Sequence, residues 1–430
     1  KFCFAAVDGN VLSCAHAKCS AELRRTGDQE GYGMSAVVKW FTAGIVVVAM
    51  VVVVAWFTSP DLQFNPASFE KDPLVQRLAP PEEATTLAQF RNAEGEIRTV
   101  LVTGYNKETV VGIDLRELGA PQTDDPFEAL SGADITPVLS DNADNVPTIS
   151  LPIANLLAAG PTGTQHIGTG TNFPEHADEA NSSSVFQFPK FGPATAARTQ
   201  VIAVAGVLLD YEVEICVRFD RTLRAPNDFD IAVKGFFLCG DFTNRNALIN
   251  LADPDNLNSG RGFSDAKSGP DFFPTGPFLV IPKDWKAFVA SIRMTTNVNG
   301  SPRQDARGNE MTLDFKQLVD KAFRDMARPR FLYRENYWKL APEGSIPPTM
   351  TLMSGTAEGT IFTPPSRGDM IDGAVAYALQ GGPFGKQTFV DVVRQTFIAN
   401  ELADGHYLQP GDAVHHGSNY LGDIVVKVSK

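Results

Sequence analysis

The strongest hydrophobic pattern in the chain is an uncharged run from Trp40 to Pro60, WFTAGIVVVAMVVVVAWFTSP. As a helix rising ~1.5 Å per residue, this run would span about 30 Å, which matches the apolar core of a bilayer. Trp40 and Trp56 bracket the run at the positions where interfacial aromatic residues are enriched. A buried strand is the alternative, but strands rarely exceed about ten residues. The pattern therefore predicts a single transmembrane anchor at 36–58.

The charges around this run predict its orientation. Arg24, Arg25 and Lys39 precede it. Asp61 and Glu70 follow it, so the positive-inside bias places the N-terminus in the cytoplasm and 61–430 on the outer, periplasmic-type side. A cleaved signal peptide is the closer alternative, although AWFTSPDLQF contains no A-x-A cleavage site. Residues 1–33 are interpreted as a leader or a non-native extension.

The segment at 60–155 is interpreted as a linker followed by a small N-terminal domain. Its first part is rich in proline and charge (SPDLQFNP, LAPPEEATT) and predicts a tether that leads into a short helix over 81–91. The alternation in GEIRTVLVTGYNKETVVGIDL predicts two strands joined by a turn at 105–107.

The main domain at 160–430 is dominated by predicted strands. Runs such as DYEVEICVRF, DIAVKGFFLCGDF and DIVVKVS are rich in β-branched and aromatic residues and are separated by Gly, Pro, Asn and Asp. Helical periodicity predicts helices at 313–327 and 387–403. Strands and helices do not alternate regularly, which argues against a Rossmann sheet and predicts a β-rich α+β fold.

Composition and missing motifs exclude several classes of function. The chain has 37 Lys and Arg against 50 Asp and Glu, a net charge of −13, so no basic field attracts nucleic acid. GTQHIGTGT lacks the Lys-Ser/Thr pair of a P-loop, and neither G-x-S-x-G nor H-E-x-x-H occurs. Nucleotide binding, serine hydrolysis and zinc hydrolysis are therefore not expected. Cys216 and Cys239 lie in apolar runs and are predicted to be buried thiols.

The segment LLDYEVEICV carries the strongest local signal for chemistry. Glu212 and Glu214 are two residues apart in a predicted strand, so both carboxylates face one side, about 6.5–7 Å apart at the backbone. Two buried carboxylates repel each other unless a cation lies between them. Mg²⁺ or Mn²⁺ would supply that cation. The alternative is a half-exposed strand with a polar face.

Other candidates become informative in combination. Asp241 follows the apolar run VKGFFLCG and is a possible third ligand, although Arg245 could simply pair with it. In NFPEHADEA, His176 and Glu179 lie three residues apart and would be neighbours on a helix. They are either a pair on the helix surface or a catalytic base whose imidazole is oriented by the carboxylate. Lys267 could stabilise an oxyanion or simply face solvent.

Eight short motifs in one order resemble the fumarylacetoacetate hydrolase family. They are NFPEHADE, FQFPKFGP, DYEVE, FFLCGDFTNR, the Lys267 loop before PTGPFLV, NGSPRQD, SGTAEGTIF and LQPGD…YLGDIVVKV. The resemblance covers about 163–430 and implies a mixed β-sandwich roll that usually forms a homodimer. The sequence departs from the family pattern at Lys190, at Cys239-Gly240 before Asp241, and in an insertion at 365–408.

The resemblance also implies roles for individual residues. It implies that Glu212, Glu214 and Asp241 bind Mg²⁺ or Mn²⁺. His176 and Glu179 match the family's water-activating lid. Lys267 matches the family lysine. Gln304 and Thr356 match possible substrate contacts, and Arg245 is added to them for its positive charge.

The reaction implied is hydrolysis of a C–C bond in an acylpyruvate or related 2-oxo or β-diketo acid, through a metal-bound enolate. Family decarboxylases, hydratases and isomerases that act on 2-oxo acids use the same groups and stay open as alternatives. A catalytically idle subunit tethered to the membrane is a further alternative. The free-energy cost of burying these charges argues for an enzyme instead.

Overall fold

The computed structural model describes residues 30–138, 146–182 and 184–430, and side chains from residue 38 onward. The predicted leader at 1–33 lies almost wholly outside these residues. The chain divides into two compact units, Lys1–Ser59 and Pro60–Lys430. In the first, helix α1 (Glu30–Phe57) contains an apolar stretch, Val38–Phe57, with a mean hydropathy of 2.4 and no burial. It is long and apolar enough to cross a membrane, a property that signal sequences share.

The second unit is built mainly from strands. Its described residues form β1 (Ala84–Arg91), β2 (Ile97–Tyr105), β3 (Thr109–Asp114), β4 (Ile149–Pro152), β5 (Gln165–Gly170), β6 (Phe186–Phe191), β7 (Arg198–Ile202), β8 (Leu209–Asp210), β9 (Val213–Phe219), β10 (Lys234–Gly240), β11 (Thr243–Asn244), β12 (Leu279–Pro282), β13 (Arg293–Val298), β14 (Ser301–Arg307), β15 (Phe331–Tyr333), β16 (Asn336–Trp338), β17 (Leu352–Met353), β18 (Ala413–Ser418) and β19 (Asp423–Ser429).

Short helices connect these strands. Those in the described residues are α2 (Pro126–Gly132), α3 (Pro174–Glu179), α4 (Asp228–Ile231), α5 (Arg245–Leu251), α6 (Phe263–Lys267), α7 (Trp285–Ser291), α8 (Phe315–Asp325), α9 (Arg367–Leu379) and α10 (Phe389–Asp404). The helices predicted at 313–327 and 387–403 are confirmed as α8 and α10. The segment 365–408 contains helices α9 and α10, which pack together.

The strands form two large mixed sheets. One has ten strands in the order β4-β3-β2-β1-β12-β10-β9-β17-β5-β6, and the other has five in the order β14-β13-β18-β19-β7. Only the β5–β17 and β7–β19 neighbours are parallel within these described sheets. The predicted β-rich α+β class is confirmed. Strands β1–β4 continue the same sheet through the β1–β12 pair, so 60–155 belongs to the same compact unit as the rest.

The centre of the large sheet is apolar on both faces. Every residue of β9 is buried. Val213, Ile215 and Val217 face a core that they share with Met294 and Ile424 of the five-stranded sheet. The opposite face packs on a smaller cluster formed by β1, β2 and α2. Burial on both faces explains the nearly continuous apolar sequence of this strand and makes it a rigid support for its acidic residues.

Two local predictions were wrong. The segment 81–91 does not form a helix: Ala84–Arg91 is strand β1, because β2 and β12 pair with it on its two sides and satisfy its backbone groups. Cys216 and Cys239 are not free thiols but form a disulfide with a Cα–Cα distance of 6.0 Å. In the β9–β10 pair Cys216 lies opposite Phe237, so the two cysteines are diagonal neighbours on one face. The predicted strand pair around 105–107 is confirmed as β2 and β3.

Candidate metal centre and active-site cavity

Three buried carboxylates meet where β9 and β10 end side by side. The antiparallel register pairs Cys239 with Glu214, so Asp241 emerges next to Glu212 and its N–H donates to the Glu212 carbonyl at 2.9 Å. One ligand oxygen from each of Glu212, Glu214 and Asp241 lies within 4.8 Å of those from the other two. The strand spacing read from the sequence therefore places the three predicted metal ligands together.

Two lysines neutralise part of this charge. Lys267, the last residue of α6, places Nζ 2.7 Å from Glu212 Oε2 and 2.9 Å from Asp241 Oδ2. It also donates to the hydroxyl of Thr243 at 3.0 Å. Although burial opposes its charged form, Asp241 and Glu212 raise the pKa of Lys267 above its ordinary value. Lys267 is buried in the site and does not face solvent.

Lys190 is the second lysine, and sequence reasoning left its role open. It lies in β6 and is fully buried. Its ammonium donates to Asp241 Oδ1 at 2.5 Å, to the Lys267 carbonyl at 2.5 Å and to the Phe272 carbonyl at 3.2 Å. These three acceptors fill its donor capacity and fix Asp241 in place. A lysine inside the apolar run FQFPKF was the available signal, since buried lysines are almost always paired.

The alternative interpretation of the sequence, in which Arg245 pairs with Asp241, is wrong. Its Nε donates to Asp210 Oδ2 at 2.8 Å and its Nη2 to Glu212 Oε1 at 2.9 Å. Asp210, which sequence analysis missed, also accepts the N–H groups of Ile361 at 3.0 Å and Phe362 at 3.1 Å. The only signal for Asp210 in the sequence was its position two residues before Glu212. Asp210 therefore couples Arg245 to the loop that closes the cavity.

The donor set fits a divalent cation. Among the described residues, the buried Glu214 Oε1 has no hydrogen-bond or ion-pair partner, and the only partner of Asp241 Oδ2 is the Lys267 ammonium. Burial, together with Asp241 and Glu212, raises the pKa of Glu214 well above its usual range. Orphaned carboxylate oxygens are costly, and a hard cation among them removes that cost. Glu212, Glu214 and Asp241 are thus the residues that would hold a metal, and all-oxygen donors suit Mg²⁺ or Mn²⁺.

The loop SGTAEGT at 354–360 ties this centre to a histidine. The N–H of Gly355 donates to Glu214 Oε2 at 2.7 Å, and the N–H of Gly359 donates to Glu179 Oε1 at 2.8 Å. Both glycines have positive φ, +84° and +91°, where other residues are strained. A Cβ on Gly359 would also lie 2.0 Å from the Arg303 carbonyl oxygen. Only glycine allows this loop to reach both carboxylates.

His176 and Glu179 form the predicted pair on helix α3. His176 Nδ1 lies 2.8 Å from Glu179 Oε2. An ionised carboxylate only accepts hydrogen bonds, so Nδ1 carries the hydrogen and Nε2 of the neutral ring is left as an acceptor. Glu179 is itself held by Gly359, which fixes the direction of the ring. This is the arrangement that a water-activating base requires.

A cavity of about 330 Å³ joins these groups. Six predicted site residues line it: His176, Glu179, Glu212, Arg245, Lys267 and Thr356. Apolar side chains from α5, α6 and the loop after 360 form most of the wall, including Leu248, Phe263 and Phe362. Arg394 of α10, which sequence analysis did not single out, also lines it. Mostly apolar walls with a few convergent polar groups are typical of a small-molecule site.

Gln304 lies elsewhere. Its amide N–H₂ donates to the Thr356 hydroxyl at 2.9 Å and the Ala357 carbonyl at 3.0 Å, while its Oε1 accepts from Thr296 at 2.9 Å. The side chain is buried and is not part of the cavity wall. These contacts support the 354–360 loop from behind, and the substrate contact predicted for Gln304 stays a prediction without geometric support.

The β-rich fold carries a buried acidic triad that could bind a divalent metal, next to a cavity suited to a small molecule. The sequence profile of the fumarylacetoacetate (FAA) hydrolase C-terminal domain matches residues 165–429. The chain therefore belongs to the fumarylacetoacetate hydrolase family, as its motifs predicted, and this family generally comprises enzymes that use a divalent metal.

Several solved structures are similar to this chain. Fumarylacetoacetate hydrolase from psychrophilic Exiguobacterium antarcticum is 17% identical with a TM-score of 0.50, over 80% of this chain and 99% of that one. A 2-hydroxyhepta-2,4-diene-1,7-dioate isomerase from Mycobacterium marinum is 15% identical with a TM-score of 0.48, over 80% and 98%. A probable isomerase of the same name from Mycobacterium abscessus is 20% identical with a TM-score of 0.47, over 80% and 98%. No curated protein matches this chain by sequence.

Proposed function

We propose that this chain is a Mg²⁺- or Mn²⁺-dependent hydrolase that cleaves a C–C bond in an acylpyruvate or related 2-oxo acid. The observation that carries the proposal is the buried Oε1 of Glu214, which has no partner among the described residues and lies beside the carboxylates of Glu212 and Asp241. Glu212 lines the same cavity as the oriented His176–Glu179 pair. When bound, the metal supplies Lewis-acid polarisation of the substrate's oxygen atoms.

The residues of the chain supply the proton transfers. His176 Nε2 accepts a proton from water, and the resulting hydroxide attacks the distal carbonyl carbon. The C–C bond to the pyruvate portion then breaks, and its electron pair remains on that portion as an enolate. Protonation of the enolate carbon by His176 or water gives pyruvate and a carboxylic acid. Glu179 stabilises the protonated imidazole through the 2.8 Å contact to Nδ1.

The paired cations hold the anionic substrate and its products. Lys267 keeps its charge because Asp241 and Glu212 raise its pKa, so it can stabilise the enolate without losing its own proton. Arg245 lines the cavity from the first turn of α5 and provides a second positive side chain near the substrate carboxylate. The net acidity of the chain does not repel the substrate where these groups dominate the local field.

Turnover of acetylpyruvate with Mg²⁺ tests the proposal. We expect wild-type activity to depend on the metal, and His176→Gln to lower kcat by about 10²- to 10⁴-fold, the range of a lost general base. Asp178→Asn is the matched control, because Asp178 is exposed on the same helix. Full activity in His176→Gln, or no acceleration by the protein, would overturn the hydrolase.

Isomerisation or decarboxylation of a 2-oxo acid would use the same groups without a water nucleophile. Running the reaction in ¹⁸O-labelled water separates these reactions, because hydrolysis places the label in the carboxylic acid released. A product without the label would contradict hydrolysis and favour isomerisation or decarboxylation. A folded protein that binds metal and turns over none of these substrates would favour the idle tethered subunit.

We also propose that α1 anchors the chain in a membrane with residues 61–430 on the outer side. The apolar stretch Val38–Phe57 and the flanking charges support this orientation. The Cys216–Cys239 disulfide supports it independently, since disulfides persist mainly in oxidising compartments. Alkylation of membranes from living cells should leave both cysteines unmodified until they are unfolded and reduced. Rapid labelling on unfolding without reductant would contradict the assignment.

A further inference from the structure

Helix α10 brings a positive side chain to the cavity from the segment in which this chain departs from the family pattern. Four residues of α10 other than Arg394 are apolar and buried, namely Val392, Val393, Phe397 and Ile398. They pack the helix against α9, and α10 also contacts α5, which carries Arg245. Arg394 therefore projects from a fixed helix, and its position relative to the cavity does not depend on a loose loop.

Arg394 is the charged side chain of the cavity lining for which the described residues supply no ion-pair partner. Within the described part of the chain, its guanidinium makes no ion pair or side-chain hydrogen bond, although it lines the same cavity as the carboxylates of Glu212 and Glu179. Those carboxylates are already satisfied by Arg245, Lys267 and His176. Arg394 thus lies beyond ion-pair distance of these carboxylates and lines the cavity together with them.

An unpaired and half-buried guanidinium is a strong carboxylate receptor. Its planar fork matches a carboxylate with two parallel hydrogen bonds, and partial burial strengthens them. We propose that Arg394 is a specificity-determining residue that binds a second carboxylate, at the end of the substrate opposite the 2-oxo acid. The substrate class is then a dicarboxylic 2-oxo acid. This inference rests on the proposed function, because that function places the 2-oxo acid end at Glu212, Glu214 and Asp241.

The shape and lining of the cavity agree with such a ligand. Its volume of about 330 Å³ accommodates a short chain of carbon atoms between two carboxylates. Leu248, Ile249 and Phe362 supply apolar contacts for that chain. A substrate with an apolar far end would leave the guanidinium without a partner in a partly desolvated position, and that cost disfavours it.

Two ligands of equal length test the assignment without requiring turnover. The full-length protein in detergent with saturating Mg²⁺ is titrated in a calorimeter with 2-oxoadipate, which has a distal carboxylate, and with 2-oxohexanoate, which ends in a methyl group. We expect the wild type to bind 2-oxoadipate about 10- to 100-fold more tightly, the size of a charged hydrogen-bond pair. Arg394→Gln should abolish this preference and leave the affinity for 2-oxohexanoate unchanged.

A control variant and the contrary outcomes distinguish failure of the Arg394 assignment from failure of the proposed function. Arg367→Gln, at an exposed position at the start of α9, should keep the wild-type preference. Equal affinities in the wild type, or a preference that survives Arg394→Gln, would overturn the role of Arg394 and leave the proposed function standing. Failure of both ligands to bind in the presence of Mg²⁺ would overturn the proposed function and this assignment with it.

Discussion

The β9–β10 strand pair and the α9–α10 helix pair differ in how their charges are buried and paired, although Glu212, just before β9, and Arg394 of α10 line the same cavity. Around β9 and β10, most of the charges are buried and paired, with Lys190, Lys267 and Arg245 bound to the carboxylates of Asp210, Glu212 and Asp241. On α10, Arg394 is half-buried and has no ion-pair partner among the described residues. The outer surface of the helix pair even exposes large apolar side chains, with Phe384 97% exposed.

In our proposal, the strand pair carries the groups that perform the reaction, and the helix pair carries the residue that selects the substrate. The strand pair is held by apolar packing on both faces, so its acidic groups keep the geometry that a metal requires. The helix pair lies in the segment that the sequence predicts to be an insertion, and by our proposal its Arg394 selects the substrate and takes no part in the reaction. Changes in the two regions should therefore have different consequences.

The largest effect is expected from Lys190→Met, which removes the ammonium that holds Asp241 but keeps most of the side-chain volume. Breaking a buried ion pair leaves an uncompensated charge, so the free energy of unfolding without metal should fall by about 3–5 kcal/mol. Saturating Mg²⁺ should restore part of the loss by neutralising Asp241. Chemical denaturation measures both values. Lys283→Met, at an exposed position, is the control and should change little.

The strand region should also be sensitive to acid. Burial lowers the pKa of His166 to about 4, and the nearby charge of Lys190 acts in the same direction, although the hydrogen bond of His166 to the Gly192 carbonyl opposes the shift. The unfolded chain then takes up the proton first. This contribution to stability is complete above pH 6.5 and is lost as the pH falls towards 4. It amounts to about 3 kcal/mol for a shift of this size.

Unfolding free energies across that pH range check this expectation. His166→Asn should have a shallower dependence on pH than the wild type, by about that amount. The ¹⁵N shifts of the imidazole in the wild type give an independent test if the variant does not fold. An imidazolium signal for His166 in the folded protein at pH 5.5 would contradict the prediction.

The smallest effect is expected on the helix pair. Phe384→Ser replaces an exposed side chain that packs on little else, so both the free energy of unfolding and the metal affinity should change by less than about 0.5 kcal/mol. Denaturation and metal titration in parallel with Lys190→Met provide the comparison. A large loss of metal affinity in Phe384→Ser would show that the two regions are not separable in this way.

Much of the site could be predicted because its signals are local in sequence. The two-residue spacing of Glu212 and Glu214, and the three-residue spacing of His176 and Glu179, translate directly into a strand face and a helical turn. The position of Asp241 after an apolar strand placed it at the correct sheet edge. The ordered motifs then predicted the fold, which the match over residues 165–429 confirms.

The rest depended on tertiary neighbours that no local pattern encodes. Ala84–Arg91 became a strand because partners were available on both sides. The disulfide required the diagonal register of Cys216 and Cys239. Arg394 reaches the cavity only because α10 packs on α9 and α5. In each case, the sequence specifies the element or residue, but the packing decides its contacts.

Binding of Mn²⁺ by the full-length protein, followed by the loss of the free-ion EPR signal, tests the central claim most directly. Asp404→Asn is a fitting control because Asp404 belongs to a second group of possible ligands with Asp61 and His406. We predict that the wild type and Asp404→Asn bind an ion that oxalate holds more tightly, and that Glu214→Gln does not. Binding that is unchanged in Glu214→Gln, or no binding by the wild type, would contradict the metal centre.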